Sequence, residues 1–248
     1  SELEGISVDL PLPWGKAAGS RAPLHVQWNS RASPAWRAFW FGRFSAVADF
    51  SKPDAAVASI DLTPRTRPAR QPLVLPDSGV LLTGFMPSLD PVEWPSLQLL
   101  STGPSLGETV PISVQSLRVG QLRWRGAELG ALNLEATVEG DRVDAQFSLP
   151  WLRGRFQQEP LSLQEGMAEQ ADRRLNRQLA VAFLDLDGLP DMTDQWVDTA
   201  PPTPDEALPQ WPPLAVQVSE IYRTHNALGD LALVVDYDQS DGWEFRDI

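Results

Sequence analysis

The stretch DYDQSDGWEFRD, Asp236 to Asp247, spaces its oxygen-bearing side chains as a calcium loop does. Asp236, Asp238, Ser240 and Asp247 fall at ligand positions 1, 3, 5 and 12 of such a loop. The sharp turn of that loop needs Gly at position 6, where this chain has Asp241, with Gly242 one place late. Position 12 is Asp rather than a bidentate Glu, and neither flank reads as a helix. A hairpin turn between two strands accounts for the segment better. Asp185, Asp187 and Asp191 in DLDGLPD lead to the same conclusion. No metal site is assigned.

Histidine offers little more. His25 and His225 lie in separate strand-like regions, with no nucleophile motif beside either. G-x-S-x-G, a phosphate-binding Walker loop and H-E-x-x-H are all missing from the sequence. Both histidines read as surface or sheet-edge residues. Ten Trp and many carboxylates would suit a glycosidase or a sugar-binding face, yet no two carboxylates stand out as an acid/base pair. The expectation is a non-enzyme with no catalytic residues and no cofactor.

Charge narrows the partners. The net charge is −13, and it is uneven. Residues 1–125 hold 12 Lys/Arg against 10 Asp/Glu, whereas residues 126–248 hold 8 against 23. Binding a phosphate backbone requires a basic surface, so nucleic acid is excluded as a partner. An anionic membrane surface is disfavoured as a docking site for the same reason. Arg65, Arg67 and Arg70 in PRTRPARQPLVLPDSG could clasp an anion, but a solvated loop without aromatic residues is the plainer reading. No apolar run reaches the roughly 18–20 residues that span a bilayer, and no signal peptide stands at Ser1. Cysteine is absent, which rules out disulfides and thiolate metal sites.

The elements behind these residues are strands. With 23 Pro, 17 Gly and no low-complexity tract, the chain is turn-rich, as all-β proteins are. LGALNLEATVEGDRVDAQFSLP from Leu129 returns 99 residues later as LGDLALVVDYDQSDGWEFRDI from Leu228. Each copy is preceded by a Pro-x-x-Val-Gln strand start, at Pro111 and Pro213. In the first copy Leu132, Leu134, Ala136 and Val138 share a face, continued across the turn by Val143, Ala145, Phe147 and Leu149. In the second, Leu231, Leu233, Val235 and Tyr237 are matched by Trp243 and Phe245. Strict period-two alternation means a sheet with one apolar and one wet side. Leu24, Val26 and Trp28 give the same pattern near the start.

Two further segments complete the pattern. WRAFWFGRFSAVADF, residues 36–50, fits either a strand pair grouping Phe44, Ala46 and Ala48 or a helix hydrophobic all round, and Gly42 with the neighbouring strands favours the strand pair. In the charged segment from 165, Met167, Ala171, Leu175 and Leu179 recur every four residues, which predicts a short amphipathic helix on the sheet. That is the only helix candidate. An apolar sheet face with so little to cover it must curl, associate, or bury itself against a ligand. A lipid tail would serve, since each buried methylene contributes about 0.8 kcal/mol. The bland alternative is an ordinary closed sandwich core.

GISVDLPLPWGKAAGSRAPLHVQW resembles a segment of the AsmA-like bacterial envelope proteins, YhdP branch, in which a Leu-Pro-x-Pro turn precedes a Gly-Lys-x-x-Gly loop. GVLLTGFMPSLDPVEW is similar to that branch's Gly-x-x-x-x-Gly-x-x-x-x-Leu-Asp-x-x-x-Trp signature, and the strand pair from Ser116 to its recurring strand unit. The resemblance spans nearly the whole chain as β-repeat patterns, without an active-site motif. It implies an elongated, curved antiparallel sheet with one or two short helices, forming an apolar groove. It also implies a periplasmic protein, anchored to the inner membrane in its full length, that carries phospholipid between inner and outer membranes. The partners would be phospholipid acyl chains, both membranes through parts of the chain absent here, and other envelope proteins by strand addition.

On that reading residues 1–248 are one β-rich segment of a longer chain, with repeats at 1–110, 111–212 and 213–248, the last incomplete. The charged stretch at 164–178 looks like an insertion relative to the family. The groove would be lined by Leu24, Val26, Trp28, Leu132, Leu134, Val138, Val143, Phe147, Leu231, Leu233, Val235, Trp243 and Phe245. An envelope scaffold with a closed β core, or a carbohydrate-binding β-domain, are the alternative readings.

Overall fold

Strands form wherever the chain alternates. The computed structural model describes residues 2–8, 15–29, 31, 35–50, 57–67, 73–93, 110–124, 126–160, 175–189, 214–238 and 242–247. The chain divides into two compact units, Ser1–Gly140 and Asp141–Ile248. Within the first unit the described strands are β1 (Leu24–Trp28), β2 (Trp36–Trp40), β3 (Phe44–Asp49), β4 (Val57–Asp61), β5 (Val80–Leu89), β6 (Ile112–Trp124) and β7 (Ala127–Glu139). Within the second they are β8 (Arg142–Ser148), β9 (Leu152–Pro160), β10 (Leu175–Asp185), β11 (Leu214–Arg223), β12 (Asn226–Asp238) and β13 (Gly242–Asp247). In each unit the strands pair in chain order as an open sheet.

The fold is mainly β, an open sheet in each unit, as expected. Its pairing is mixed, however. Most neighbours are antiparallel, but β4–β5, β5–β6 and β10–β11 are parallel. The reason lies in the connections. A tight turn can only reverse a strand, whereas parallel neighbours need a long crossover. Residues 62–79, 90–111 and 186–213 supply three such connections.

The expected amphipathic helix does not extend over Leu175 and Leu179, which lie in β10. As a strand this segment gains ladders to β9 on one side and β11 on the other. A short helix would have had no comparable partner. Met167 and Ala171 fall outside the described residues. Among those described, helical structure is limited to two 3-10 turns, Pro91–Glu93 and Leu186–Gly188.

The sequence repeat is a structural one. In each unit a long strand (β5, β10) ends in a 3-10 turn, a long connection follows, and a parallel strand (β6, β11) leads into an antiparallel partner (β7, β12). The repeated Leu-Gly is its hinge. Gly130 and Gly229 have φ of +95° and +126°, and each sits at a register shift, opposite Leu122 and Ile221 respectively. Such a bulge requires a backbone that side-chain-bearing residues avoid.

On the reverse face of the second sheet, Asp144 of β8 accepts two hydrogen bonds from the Arg155 guanidinium of β9, through Nε (2.7 Å) and Nη2. The guanidinium holds the Asp144 carboxyl below the usual carboxylate range. A depressed folded pKa contributes stability above the unfolded value, near 3.9, and loses it as pH falls through the folded one. The side chains are 38% and 46% exposed, so water and salt screen the pair. Asp144→Asn is therefore expected to lower the melting temperature slightly at neutral pH, and to leave it unchanged once the pH falls well below the folded value of the wild-type carboxyl. Thermal melts at both pH values check this.

Candidate functional site

Two cross-strand rows in the first unit are apolar at every position. Trp28, Trp36, Ala48, Ala58, Val80, Ile112 and Val138 are successive register partners from β1 to β7. Val26, Ala38, Ala46, Ile60, Leu82, Val114 and Ala136 form the next row on the same face. Directly opposed side chains on one face touch, so each row is a continuous strip. Neither strip is sealed. Val26 and Trp28 are 55% and 62% exposed, and most of the other row residues are half-buried.

Burial in β3 and β4 lies on the reverse face instead. Ser45, Val47, Ser59 and Asp61 are buried there, Ser59 at 2% exposure. The start of the β4–β5 connection is tied to this region. Asp61 Oδ1 accepts from Thr63 N (3.0 Å) and Thr63 Oγ1 (2.6 Å), while Asp61 Oδ2 pairs with Arg65 at 3.2 Å. Arg65 O in turn accepts from Gly42 N at 2.8 Å. Arg65 is thus part of a structural knot rather than a free anion clasp. Arg67 is exposed, and Arg70 lies outside the described residues.

Further along the apolar face the strip closes. Met86, Val119 and Leu132 are successive register partners, with Leu117 opposite Leu134, and all but Leu134 are buried. Val119 is 1% exposed. The face is therefore graded, filled toward the distal ends of β5 and β6 and open where those strands begin. The β1 end is aromatic. Trp28 and Trp36 stack with centroids 5.8 Å apart. Trp40 meets Phe44 edge-on at 5.7 Å, and the Arg43 guanidinium lies over its ring at 4.7 Å. Arg43 Nη2 also donates to Gly15 O (2.6 Å), and burial lowers its pKa.

The second unit repeats the design. Ala145, Phe156, Leu179, Val216 and Leu233 form one row that is apolar from β8 to β12, and its register partner on β13 is Asp247. Phe147, Gly154, Val181, Val218 and Leu231 form another, with Val181 and Val218 buried and Leu231 41% exposed. A third row runs Val143, Gln158, Arg177, Leu214, Val235 and Phe245, and it is interrupted by two polar residues.

The expected groove residues therefore separate into groups. Leu24, Val26 and Trp28 lie on the open face, as do Leu134 and Val138, while Leu132 belongs to the filled part. Val143, Phe147, Leu231, Leu233 and Val235 share the apolar face of the second unit. Trp243 and Phe245 pair in register with Tyr237 and Val235, but their side chains lie outside the described ones. Sequence reasoning missed Ala38, Ile60, Val80, Leu82, Ile112 and Val114. The signal for the last two was present in the Pro-x-x-Val-Gln starts.

The carboxylate loops resolve as turns. β12 and β13 pair antiparallel as far as Asp238 with Gly242, so the described residues of the Asp236–Asp247 segment lie in a strand pair. Asp185 caps the second 3-10 turn, accepting from Asp187 N at 3.1 Å, and Asp187 accepts from Thr224 N at the β11–β12 turn. Asp191 lies outside the described residues. His25 is exposed on β1 and His225 in that turn. Among the described residues no group of three or more potential ligands gathers, and no helix is long and apolar enough to cross a membrane. Comparison of the chain with family models, curated proteins and solved structures gave no match.

Proposed function

We propose that this chain is a segment of a bridge-like lipid carrier of the bacterial envelope, with phospholipid acyl chains lying on the open apolar face. One observation carries the reading. Two rows of seven apolar register partners cross the first sheet, and the buried cover in β3 and β4 sits on the opposite side. An apolar strip left half-exposed over seven strands is far larger than the scattered apolar residues a soluble surface tolerates. A sixteen-carbon tail has about 12 kcal/mol available from full burial, enough to leave a bilayer for such a surface. The periplasmic location and the membrane-to-membrane role come with the resemblance to the AsmA-like proteins.

The Trp28–Trp36 stack suits this reading better than sugar binding. Its cross-strand and next-row neighbours are Val26, Ala38 and Ala48, which offer a sugar no hydroxyl partners. Native mass spectrometry with lipid extraction on the chain purified from bacterial envelopes tests the proposal. Co-purifying phospholipid is expected, together with its loss in Leu82→Asp at an unchanged melting temperature. A stable, lipid-free chain would instead favour the closed scaffold.

A further inference from the structure

One cation lies within the apolar face of the second unit. Arg177 stands on β10 in register between Gln158 of β9 and Leu214 of β11, on the same side as Leu179 and Val181. Its neighbours on that face, Phe156, Gln158, Leu179, Leu214 and Val216, carry no charge. Its side chain is half-buried and is held in place. Arg177 Nε donates to Gln158 Oε1 at 2.9 Å, and Gln158 Nε2 donates to Asp141 O at 3.0 Å. This chain of bonds orients the guanidinium. Among the described residues it makes no ion pair and its two terminal nitrogens meet no acceptor.

The repeat sharpens the observation. β6 and β11 begin at equivalent points, Ile112 and Leu214. In the first unit the parallel partner of Ile112 is Val80, whereas in the second the partner of Leu214 is Arg177. An apolar position in one copy is thus a partly buried cation in the other. Burial lowers the Arg177 pKa, but a guanidinium remains charged throughout the physiological range. Four donor hydrogens on its outer nitrogens match the oxygens of a phosphate in a planar fork.

We infer that Arg177 anchors the phosphate of a phospholipid headgroup whose acyl chains lie along the rows of Leu179 and Val181. This rests on the lipid-carrying reading above. Successive rows are about 7 Å apart along a strand, so a headgroup at the Arg177 row leaves two apolar rows for the chains. The phosphate chemistry is common to lipid and to free phosphate. The lipid is chosen because the cation is embedded in an apolar strip rather than in a polar pocket.

The test compares wild type, Arg177→Gln and Arg177→Lys of the full chain. Each is titrated with fluorescent phosphatidylglycerol, with diacylglycerol bearing the same labelled chains, and with inorganic phosphate. Arg177→Gln is expected to weaken phosphatidylglycerol binding about tenfold or more, the scale of a charge-assisted hydrogen bond. Diacylglycerol binding and the melting temperature should not change, and Arg177→Lys should recover part of the loss. An equal loss for both lipids would make Arg177 a structural residue, and no loss for either would remove it from the site. Both results overturn the anchor while leaving the lipid-carrying reading intact. A wild-type chain that binds neither lipid would overturn both, and if it still binds phosphate the site is one for the free anion.

Discussion

Gly84→Ala is expected to destabilise the first unit by on the order of 3 kcal/mol or more, although only a methyl group is added. Gly84 lies in β5 at φ +109°, a backbone conformation that L side chains rarely adopt. A Cβ built there falls 2.3 Å from Asp61 Oδ1, 2.7 Å from Thr63 Oγ1 and 2.9 Å from Leu62 N. These are not flexible chain ends. Asp61 is buried and its Oδ1 already accepts two hydrogen bonds from Thr63, while Thr63 Oγ1 also accepts from Phe85 N at 3.2 Å. The methyl must therefore displace a satisfied buried carboxylate or the backbone beside it. Gly229→Ala is the control. Its φ is +126°, but nothing lies within 4 Å of the added Cβ, so backbone strain acts alone and a smaller loss is expected. Urea unfolding of both variants, followed by near-UV circular dichroism, makes the comparison. Equal losses would mean that the Asp61 knot contributes nothing.

The second large effect separates the two ends of the apolar face. Val119→Asp places a carboxylate at a 1% exposed position between Met86 and Leu132, with no cationic register partner. An unpaired buried charge costs several kcal/mol even after protonation relieves part of it, and loss of the cooperative melt is expected. Val26→Asp introduces the same group on the same face, but at 55% exposure. Its effect on stability should stay within about 0.5 kcal/mol. Calorimetric melts of the two variants are the measurement. A mild effect at Val119 would mean that the filled end is not core.

Much of this face is legible from residue types alone. Leu132 to Val138 and Leu231 to Val235 alternate strictly, and the structure places each set on one side of its sheet. Alternation reports the phase of a strand but not its neighbours. It therefore does not reveal the parallel joints, and the four-residue spacing of Leu179 fits a helix although its partners in β9 and β11 make it a strand residue. Leu-Gly was visible as a repeat, but its role as a bulge depends on the register of the facing strand. Arg177 was the hardest to see. It stands in a charged run beside Arg173 and Arg174, and only the ladder to Gln158 and Leu214 sets it on the oily side.

The three parallel joints also set the order in which the chain can assemble. Hairpins such as β6–β7 and β11–β12 close locally and zip within microseconds. Joining β4 to β5, β5 to β6 or β10 to β11 requires closing the connections at 62–79, 90–111 and 186–213 before any ladder bond forms. These joints are therefore expected to form after the hairpins. They are also the points where the chain can change length most freely, since doubling a connection costs only about 0.6 kcal/mol of closure entropy. A strand altered by one residue would turn its oily side to water, whereas these connections can lengthen or shorten and leave every row aligned.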